Sequence, residues 1–173
     1  MTDGAVVHRV SMAEARPVFS TFVPGLPRPA GSKRAVPAYD RRAGRYVTKP
    51  TPAGLNRPVV RVLDDADSAG WRQAVAAGGI EARRELLTGP LSVEIAFMLP
   101  RPKSHFTAGG RLKPNARRWP AVRPDVLKLA RAVEDALTGI VWADDAQIVD
   151  EHISKRYGVE PGVSVAVRRL AEG

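Results

Sequence analysis

The segment PDVLKLARAVEDALTG, at 124–139, constrains the fold of this chain more than any other. Apolar residues recur along it at helical spacing, so one face of the helix is apolar and the opposite face is polar. Pro124 suits the first turn of a helix, and Gly139 suits the position just past its end. The pattern therefore predicts a helix over about 124–138 that buries the face formed by Val126, Leu129, Ala130, Val133 and Leu137.

The other periodic segments predict strands around that helix and one further helix. LSVEIAFML, at 91–99, alternates most cleanly between apolar positions and other positions and is the best-defined strand. Segments 148–157 and 163–170 also have strand character and are predicted to form a hairpin through the turn GVEPG. Further strands are predicted at 17–25, 45–50 and 58–65, and a second helix at about 66–87 with Gly78 and Gly79 in its middle.

This order of elements predicts a single α+β domain. It would contain one mixed β-sheet of about four to six strands and two main helices, at about 66–87 and 124–138. Residues 1–16 show no sustained period and are expected to form a loose N-terminal segment, so the domain would span 17–173.

Two segments rich in proline, glycine and positive charge are expected to be loops: 26–46 and 100–124. The second is long for a loop inside a compact domain, and such loops are usually functional or disordered. Its cations are interleaved with Phe106 and Trp119, so contact with a phosphate backbone and stacking on bases is one interpretation. A solvated, mobile loop is the other, and the sequence leaves both open.

The charge balance narrows the class of partner. The chain has 27 Lys and Arg against 18 Asp and Glu, a formal net charge of +9, which favours a polyanion such as nucleic acid over a merely basic soluble protein. With no cysteine, a disulfide scaffold and a cysteine nucleophile are excluded, and three scattered histidines make a zinc hydrolase a poor interpretation. No apolar run approaches a membrane span, so we expect a soluble intracellular protein without membrane association.

Acidic residues are concentrated in one stretch of this basic chain, with seven of the 18 between positions 125 and 151. Asp125 stands at the start of the predicted helix, and Asp144 and Asp145 stand beyond its far end. If the chain doubles back between them, three carboxylates would meet and suit Mg²⁺ or Mn²⁺, which activates water for phosphodiester hydrolysis. The alternatives are a helix cap at Asp125 and a solvated turn at the pair.

The stretch RPDVLKLARAVEDALTGIVWADDAQIVDEHISKRYG resembles the signature of the RusA family of Holliday junction resolvases. That signature has an acidic helix start, a basic residue, Asp-Ala-Leu and an Asp-Asp-x-Gln turn followed by a strand. The matching positions here are Asp125, Arg131, 135–137 and 144–147. The opening VPGLPRPAGSKR also resembles the strand and basic loop that begin RusA-like phage proteins.

The resemblance implies a homodimeric, Mg²⁺-dependent endonuclease that nicks four-way DNA in the cytoplasm, encoded by a bacterium or a phage, without a small-molecule cofactor. It implies catalytic and metal-binding roles for Asp125 and Asp145, with Asp144 beside them, and it puts Arg131 where the family has an essential lysine. Candidate DNA contacts are Lys33, Arg34, Arg111, Lys113, Arg117, Arg118, Lys128 and Arg131.

The sequence departs from this family pattern at Leu127, where a second acid is expected, and at Lys128, where an asparagine is expected. A leucine cannot bind a metal, so one alternative is a branched-DNA-binding protein with weakened or lost catalysis. The helical period places Leu127 on the flank of the helix, where partial burial is expected. A third interpretation is an RNA- or ribosome-associated basic protein, which would show no preference for four-way DNA.

Overall fold

Ten strands and two α-helices make up the structure, a computed structural model that describes residues 16–30, 34–63 and 66–171. The helices are α1 (Ala66–Ala82) and α2 (Val126–Leu137), and short 3₁₀ turns lie at Lys103–His105 and Asp145–Gln147. In chain order the strands are β1 (Phe19–Pro24), β2 (Arg34–Pro37), β3 (Tyr39–Asp40), β4 (Arg45–Tyr46), β5 (Thr48–Pro50), β6 (Asn56–Pro58), β7 (Val60–Leu63), β8 (Leu91–Leu99), β9 (Ile148–Tyr157) and β10 (Gly162–Arg169).

The centre of the domain is a mixed four-stranded sheet in the order β1-β10-β8-β9. Strand β8 pairs antiparallel with β10 and parallel with β9, and β10 pairs antiparallel with β1. Both helices pack on one face of this sheet, where Val93, Ile95 and Phe97 of β8 are fully buried. The prediction of an α+β domain with one main mixed sheet and two helices is confirmed.

The structure shows why two glycines stand in α1. A Cβ atom at Gly78 would lie 2.7 Å from a methyl of Val23 in β1, and one at Gly79 would lie 2.6 Å from a methyl of Leu137 in α2. The pair therefore lets α1 approach β1 and α2 closely and does not break the helix. The helix ends at Ala82, so the predicted extension to 87 is wrong.

The predicted hairpin between 148–157 and 163–170 is wrong, although both strands form. Strand β8 lies between β9 and β10, and the connection between them crosses the end of β8, where the amide of Gly158 donates to the carbonyl of Leu99. Every odd-numbered residue of β8 from 91 to 99 is buried, so it takes a central position, whereas β9 is largely exposed and takes the edge. Alternation along a strand identifies its faces and not its neighbours.

Residues 34–63 form three short ladders, a stem and two fingers, and we call this element the forked arm. Strands β2 and β7 pair to make the stem, β3 and β4 make a first finger, and β5 and β6 make a second. The prediction of a loop through 34–46 is wrong, since β2, β3 and β4 lie there. The two short strands predicted at 45–50 and 58–65 are confirmed only in part: 45–50 is divided between β4 and β5, and 58–65 contains β7. They do not pair with each other, since β5 pairs with β6, which lies mostly before 58, and β7 pairs with β2.

The segment 100–124 is irregular, as predicted, apart from the 3₁₀ turn and one isolated bridge between Phe106 and Leu112. It is anchored to the sheet by Tyr157 at the end of β9. The guanidinium of Arg101 lies 4.6 Å from the Tyr157 ring centroid, and His105 packs edge-on against the same ring. In the part of the chain that the structure describes, no helix is long and apolar enough to span a membrane. The predicted loose segment at 1–16 falls outside the described residues except for Arg16.

Candidate active site

Helix α2 separates the two ends of the predicted carboxylate site. It contains 12 residues, and at 1.5 Å per residue it is about 18 Å long. Asp125 caps its N-terminus by accepting hydrogen bonds from the amides of Leu127 and Lys128, each at 3.1 Å. Asp145 lies beyond the other end, directly before β9.

Strand β9 runs antiparallel to α2 and fixes this separation. Near the start of the helix, the ammonium of Lys155 donates to the carbonyls of Val122 at 2.7 Å and Pro124 at 2.8 Å. Near the end of the helix, Glu134 is hydrogen-bonded to Glu151, which precedes Lys155 in β9 by four residues. Within one chain, the structure therefore does not bring Asp125 into the same cavity as Asp145.

Asp125 instead borders a larger cleft at the basic end of the helix. This cleft has a volume of about 780 Å³ and is lined mainly by proline, leucine and cationic side chains. Arg28, Arg123, Lys128 and Tyr157 are among the residues around it.

The opposite end of α2 carries an open cavity of about 350 Å³ that we call the acidic cavity. Its lining is Glu134, Asp145, Ala146, Ile148, Val149, Asp150 and Glu151. Burial raises the pKa of Glu134 to about 7, with the hydrogen bond to Glu151 and the negative charges of Glu151, Asp135 and Asp145 as further causes. Four carboxylates thus lie close enough to increase the proton affinity of one of them.

The Asp-Asp-x-Gln turn has a clear structural function. The Gln147 side-chain oxygen accepts hydrogen bonds from the amides of Ala143 and Asp144, and its nitrogen donates to the carbonyls of Leu87 and Gly89. Asp144 caps the 3₁₀ turn by accepting from the amide of Ala146 at 2.9 Å. Asp144 and Gln147 therefore hold the turn against the segment before β8, and Asp145 is left exposed at the rim of the acidic cavity. Metal binding by Asp125, Asp144 and Asp145 stays a prediction.

Leu127, Arg131 and Glu134 lie on one stripe of α2. At 100° per residue, Arg131 is about 40° and Glu134 about 20° from Leu127 around the helix axis. The stripe lies outside the buried face of α2: Leu127 is 67% exposed, so the expectation of partial burial is wrong, and Glu134 at the other end is half-buried beside β9. Arg131 is exposed between the two ends of the stripe, where its guanidinium can reach a phosphate.

The remaining predicted DNA contacts fall into three groups. Arg111, Arg117 and Arg118 are exposed on the segment 100–124, which we call the basic loop, with the guanidinium of Arg118 5.3 Å from the Trp119 ring centroid. Lys113 is half-buried and donates to the carbonyl of Ser104 at 2.9 Å, so it also holds the loop together. Lys128 is exposed in the first turn of α2, Arg34 begins β2, and Lys33 lies outside the described residues.

Sequence reasoning did not assign Glu134, Glu151 or Lys155 to the site. A signal for Glu134 is present, because it lies seven residues after Leu127 and therefore on the same stripe. The pairing of Glu151 with Glu134 requires knowledge that β9 lies beside α2, which the sequence pattern does not supply.

Comparisons with known proteins identify the family of the chain. Residues 43–168 match the family model described as Endodeoxyribonuclease RusA. An uncharacterized protein of Bacillus subtilis (strain 168), YqaN, is 33% identical, and the alignment covers 74% of this chain and 93% of the relative. The family match includes both helices, the basic loop, the acidic cavity and three strands of the main sheet.

Proposed function

Because the chain belongs to the RusA family of endodeoxyribonucleases, we propose that it resolves four-way DNA junctions in the cytoplasm by paired phosphodiester hydrolysis. The observation that carries this proposal is the acidic cavity in a protein of net charge +9. Cations elsewhere on the surface attract DNA, while a compact group of carboxylates suits the chemistry of cleavage.

The side-chain oxygens that line the acidic cavity are the ligand type that hard divalent cations such as Mg²⁺ or Mn²⁺ prefer. Burial first, and then Glu151, Asp135 and Asp145, raise the pKa of Glu134 to about 7, so these carboxylates form a negative site that a cation neutralises, and all its donors are oxygen. Among the described residues, no group of three or more potential ligands already has the geometry of a metal site. Asp145, Glu134 and Glu151 are the residues that we propose would hold the ion.

The bound ion would lower the pKa of a coordinated water and stabilise charge on the leaving oxygen. The residues of the chain perform the remaining tasks. Burial, the hydrogen bond to Glu151 and the neighbouring carboxylates hold the pKa of Glu134 at about 7, and ligation of a cation would favour its ionised form, since metal-binding carboxylates are ionised. Arg131, exposed on the same stripe as Glu134, binds the phosphate next to the scissile bond.

We propose further that two copies act as a homodimer in which the α2 helices pack antiparallel across a two-fold axis. That packing would bring Asp125 and Lys128 of one protomer beside Asp145 of its partner, and so join the two ends that one chain keeps apart. Leu127 on α2 and Val149 at the rim of the acidic cavity support it, because they are 67% and 64% exposed and apolar. A two-fold dimer also matches a junction whose strands are cut in symmetric pairs.

Single-turnover nicking of a labelled four-way junction tests the proposal. We expect cleavage in Mg²⁺, none in chelator, and retained binding in both. Asp145→Asn should abolish nicking and retain binding, because the amide lacks the charge that holds the ion, whereas Glu81→Gln on α1 serves as the exposed control and should cut normally.

Cleavage by the native protein in chelator, or full activity of Asp145→Asn, would contradict the metal-dependent mechanism. A native protein that binds junctions in Mg²⁺ and does not cut them would instead favour the second candidate, a branched-DNA-binding protein. The observation behind that candidate is Leu127 at the position of a family acid.

A further inference from the structure

Together with 100–124, which carries seven Lys and Arg and no acid, the forked arm, residues 34–63, is one of the two most positive segments of the protein. Its sequence contains seven Lys and Arg and one Asp, a net +6 of the chain's +9. Five of these cations are exposed in the fingers: Arg41, Arg42, Arg45, Lys49 and Arg57. Asp40, its single acid, is used to fold a finger tip, because its carboxylate accepts hydrogen bonds from the amides of Arg42 and Ala43.

The arm is built with very little apolar burial. Among its described side chains, Ala38 alone is buried, and Tyr39 and Tyr46 pair edge-on across the first finger while remaining 50% and 60% exposed. Two-stranded ribbons of this size are marginally stable alone in water. The arm therefore has the composition of a surface that contacts another molecule.

Cross-strand pairing on the second finger indicates that the partner is an anion. Lys49 and Arg57 stand directly opposite each other in the β5–β6 ladder. Like charges in that position destabilise a ladder unless a counter-charge lies between or above them. A row of phosphates supplies that counter-charge, and the exposed tyrosines add apolar contact area beside it.

The shape of the fingers selects among nucleic acid forms. A two-stranded ribbon fits the major groove of a DNA duplex, with phosphates along both edges of the groove. The first finger presents Arg41 and Arg42 at its tip and Arg45 on its side, so cations can reach both edges.

The position of Ala30, which precedes the arm in the chain, indicates where such a duplex would lie. The stem begins four residues after Ala30, whose amide donates to the carbonyl of Lys128 in the first turn of α2. The arm thus follows in the chain a residue at the basic end of α2, and the length of α2 puts that end about 18 Å from the acidic cavity. At 3.4 Å per base pair, that distance is roughly five base pairs.

From these observations we propose that the forked arm binds the backbone and groove of a duplex arm of the branched substrate, away from the branch point and from the cleavage site. The inference rests on the proposed function for the identity of the substrate. The arm supplies affinity common to all duplex DNA, while the selection of the junction and its cleavage depend on the rest of the domain.

The test compares two adjacent arginine pairs, Arg41→Ala/Arg42→Ala on the first finger and Arg83→Ala/Arg84→Ala at the end of α1 as the charge-matched control. Binding of a linear duplex and of a four-way junction is measured across a salt series. The finger variant keeps the Asp40 turn, because that turn uses backbone amides. We expect it to weaken both affinities by the same factor, with a salt slope shallower by about 0.9 for each phosphate that the variant no longer binds.

Three further results are expected. The ratio of junction to duplex affinity should not change, nicking at saturating protein should keep its native rate, and the control variant should behave as native in every assay. Lys49→Ala/Arg57→Ala should also bind both DNAs more weakly while the free protein unfolds no earlier than native, since a repulsive cross-strand pair has been removed.

Native affinity of both finger variants for both DNAs would overturn the proposal. So would a loss confined to the junction, which would assign the arm to the branch point, or a loss of nicking at saturating protein, which would assign it to catalysis. A further outcome is that the native protein binds junctions without cutting them while both finger variants bind DNA more weakly. That pair of results would support the arm's role in duplex binding and overturn the proposed nuclease function.

Discussion

The raised pKa of Glu134 makes the acidic cavity testable without any substrate. We predict that Glu134→Gln increases the stability of the protein above neutral pH and leaves it nearly unchanged near pH 4. The folded-state pKa of about 7 lies above the ordinary value of 4.5, so ionising this carboxyl costs more in the folded than in the unfolded chain. Stability is therefore lost as the pH rises from about 4.5 through 7, and the neutral amide does not incur that loss.

The magnitude follows from the size of the shift. Each pKa unit corresponds to about 1.36 kcal/mol, so the full difference would be roughly 3.4 kcal/mol. Glu134 is only half-buried, and solvent screens the surrounding carboxylates, so we expect a gain of about 1–2 kcal/mol at pH 8.

Urea unfolding in chelator at pH 4, 5, 6, 7 and 8 measures this gain. Glu81→Gln, an exposed glutamate on α1, is the control and should show the same pH dependence as native. In Glu151→Gln the pKa of Glu134 should fall, so a subsequent Glu134→Gln change should give a smaller gain than in the native background.

A variant whose stability difference from native is constant between pH 4 and pH 8 would refute the reasoning. That result would mean that Glu134 is not held in a partly desolvated position against other carboxylates. The acidic cavity would then lose its main electrostatic support as a cation site.

Three other predictions follow from the arrangement of the site. Replacing the four cations of the basic loop by alanine should weaken junction binding and flatten its salt dependence by up to about 0.9 for each phosphate that is released, with a smaller share from the half-buried lysine; an unchanged slope would leave the loop without a DNA-binding role. These four are Arg111, Lys113, Arg117 and Arg118. Leu127→Asp should weaken the proposed dimer, because it puts a charge into the α2 interface, but at protein concentrations where the chain is monomeric it should change the free energy of unfolding by less than about 0.5 kcal/mol, since the side chain is 67% exposed within one chain; a loss of several kcal/mol in urea unfolding of the monomer would contradict that exposure. If Asp125 of one protomer completes the site of its partner, mixing inactive Asp125→Asn and Asp145→Asn proteins should restore nicking at one of the two sites of the dimer, and mixtures that stay inactive would argue against the antiparallel α2 arrangement.

The sequence predicted individual elements of the domain well where one period dominates. Strands β8 and β9 begin and end where alternation and flanking prolines or turns predict, and α2 is within two residues of its predicted limits. Only 45–50 and 58–65 of the forked arm were predicted as strands, and its three ladders were missed, because its strands are two to four residues long and are separated by proline and glycine, so no period develops. Pairing of neighbours was missed for a related reason: nothing in β9 or β10 encodes that β8 separates them.

The separation of the carboxylates was beyond the sequence for a geometric reason. Residues on either side of a helix come together only if the chain returns along the helix's full length, and 12 helical residues span about 18 Å. The connection at 138–144 instead turns beside the end of α2, where Thr138 and Trp142 are joined by a side-chain hydrogen bond of 3.0 Å. Asp145 therefore lies at the C-terminal end of the helix, in the 3₁₀ turn that leads into β9, and borders the same cavity as Glu134.

That geometry bears on whether the leucine at position 127, where the family has an acid, disables the site. The stripe of α2 that begins at Leu127 ends at Glu134, so it carries its carboxylate two turns later, at the end beside Asp145 and Glu151. The negative charge of the site is thereby concentrated around β9, and the helix start is left to its cap and to cations. A leucine at the start of the helix is compatible with a working cation site at its other end. The carboxylates that raise the pKa of Glu134, together with burial, are Glu151, Asp135 and Asp145, and none of them lies in the first turn of α2. Loss of an acid at one position is therefore insufficient evidence that the chain has lost catalysis.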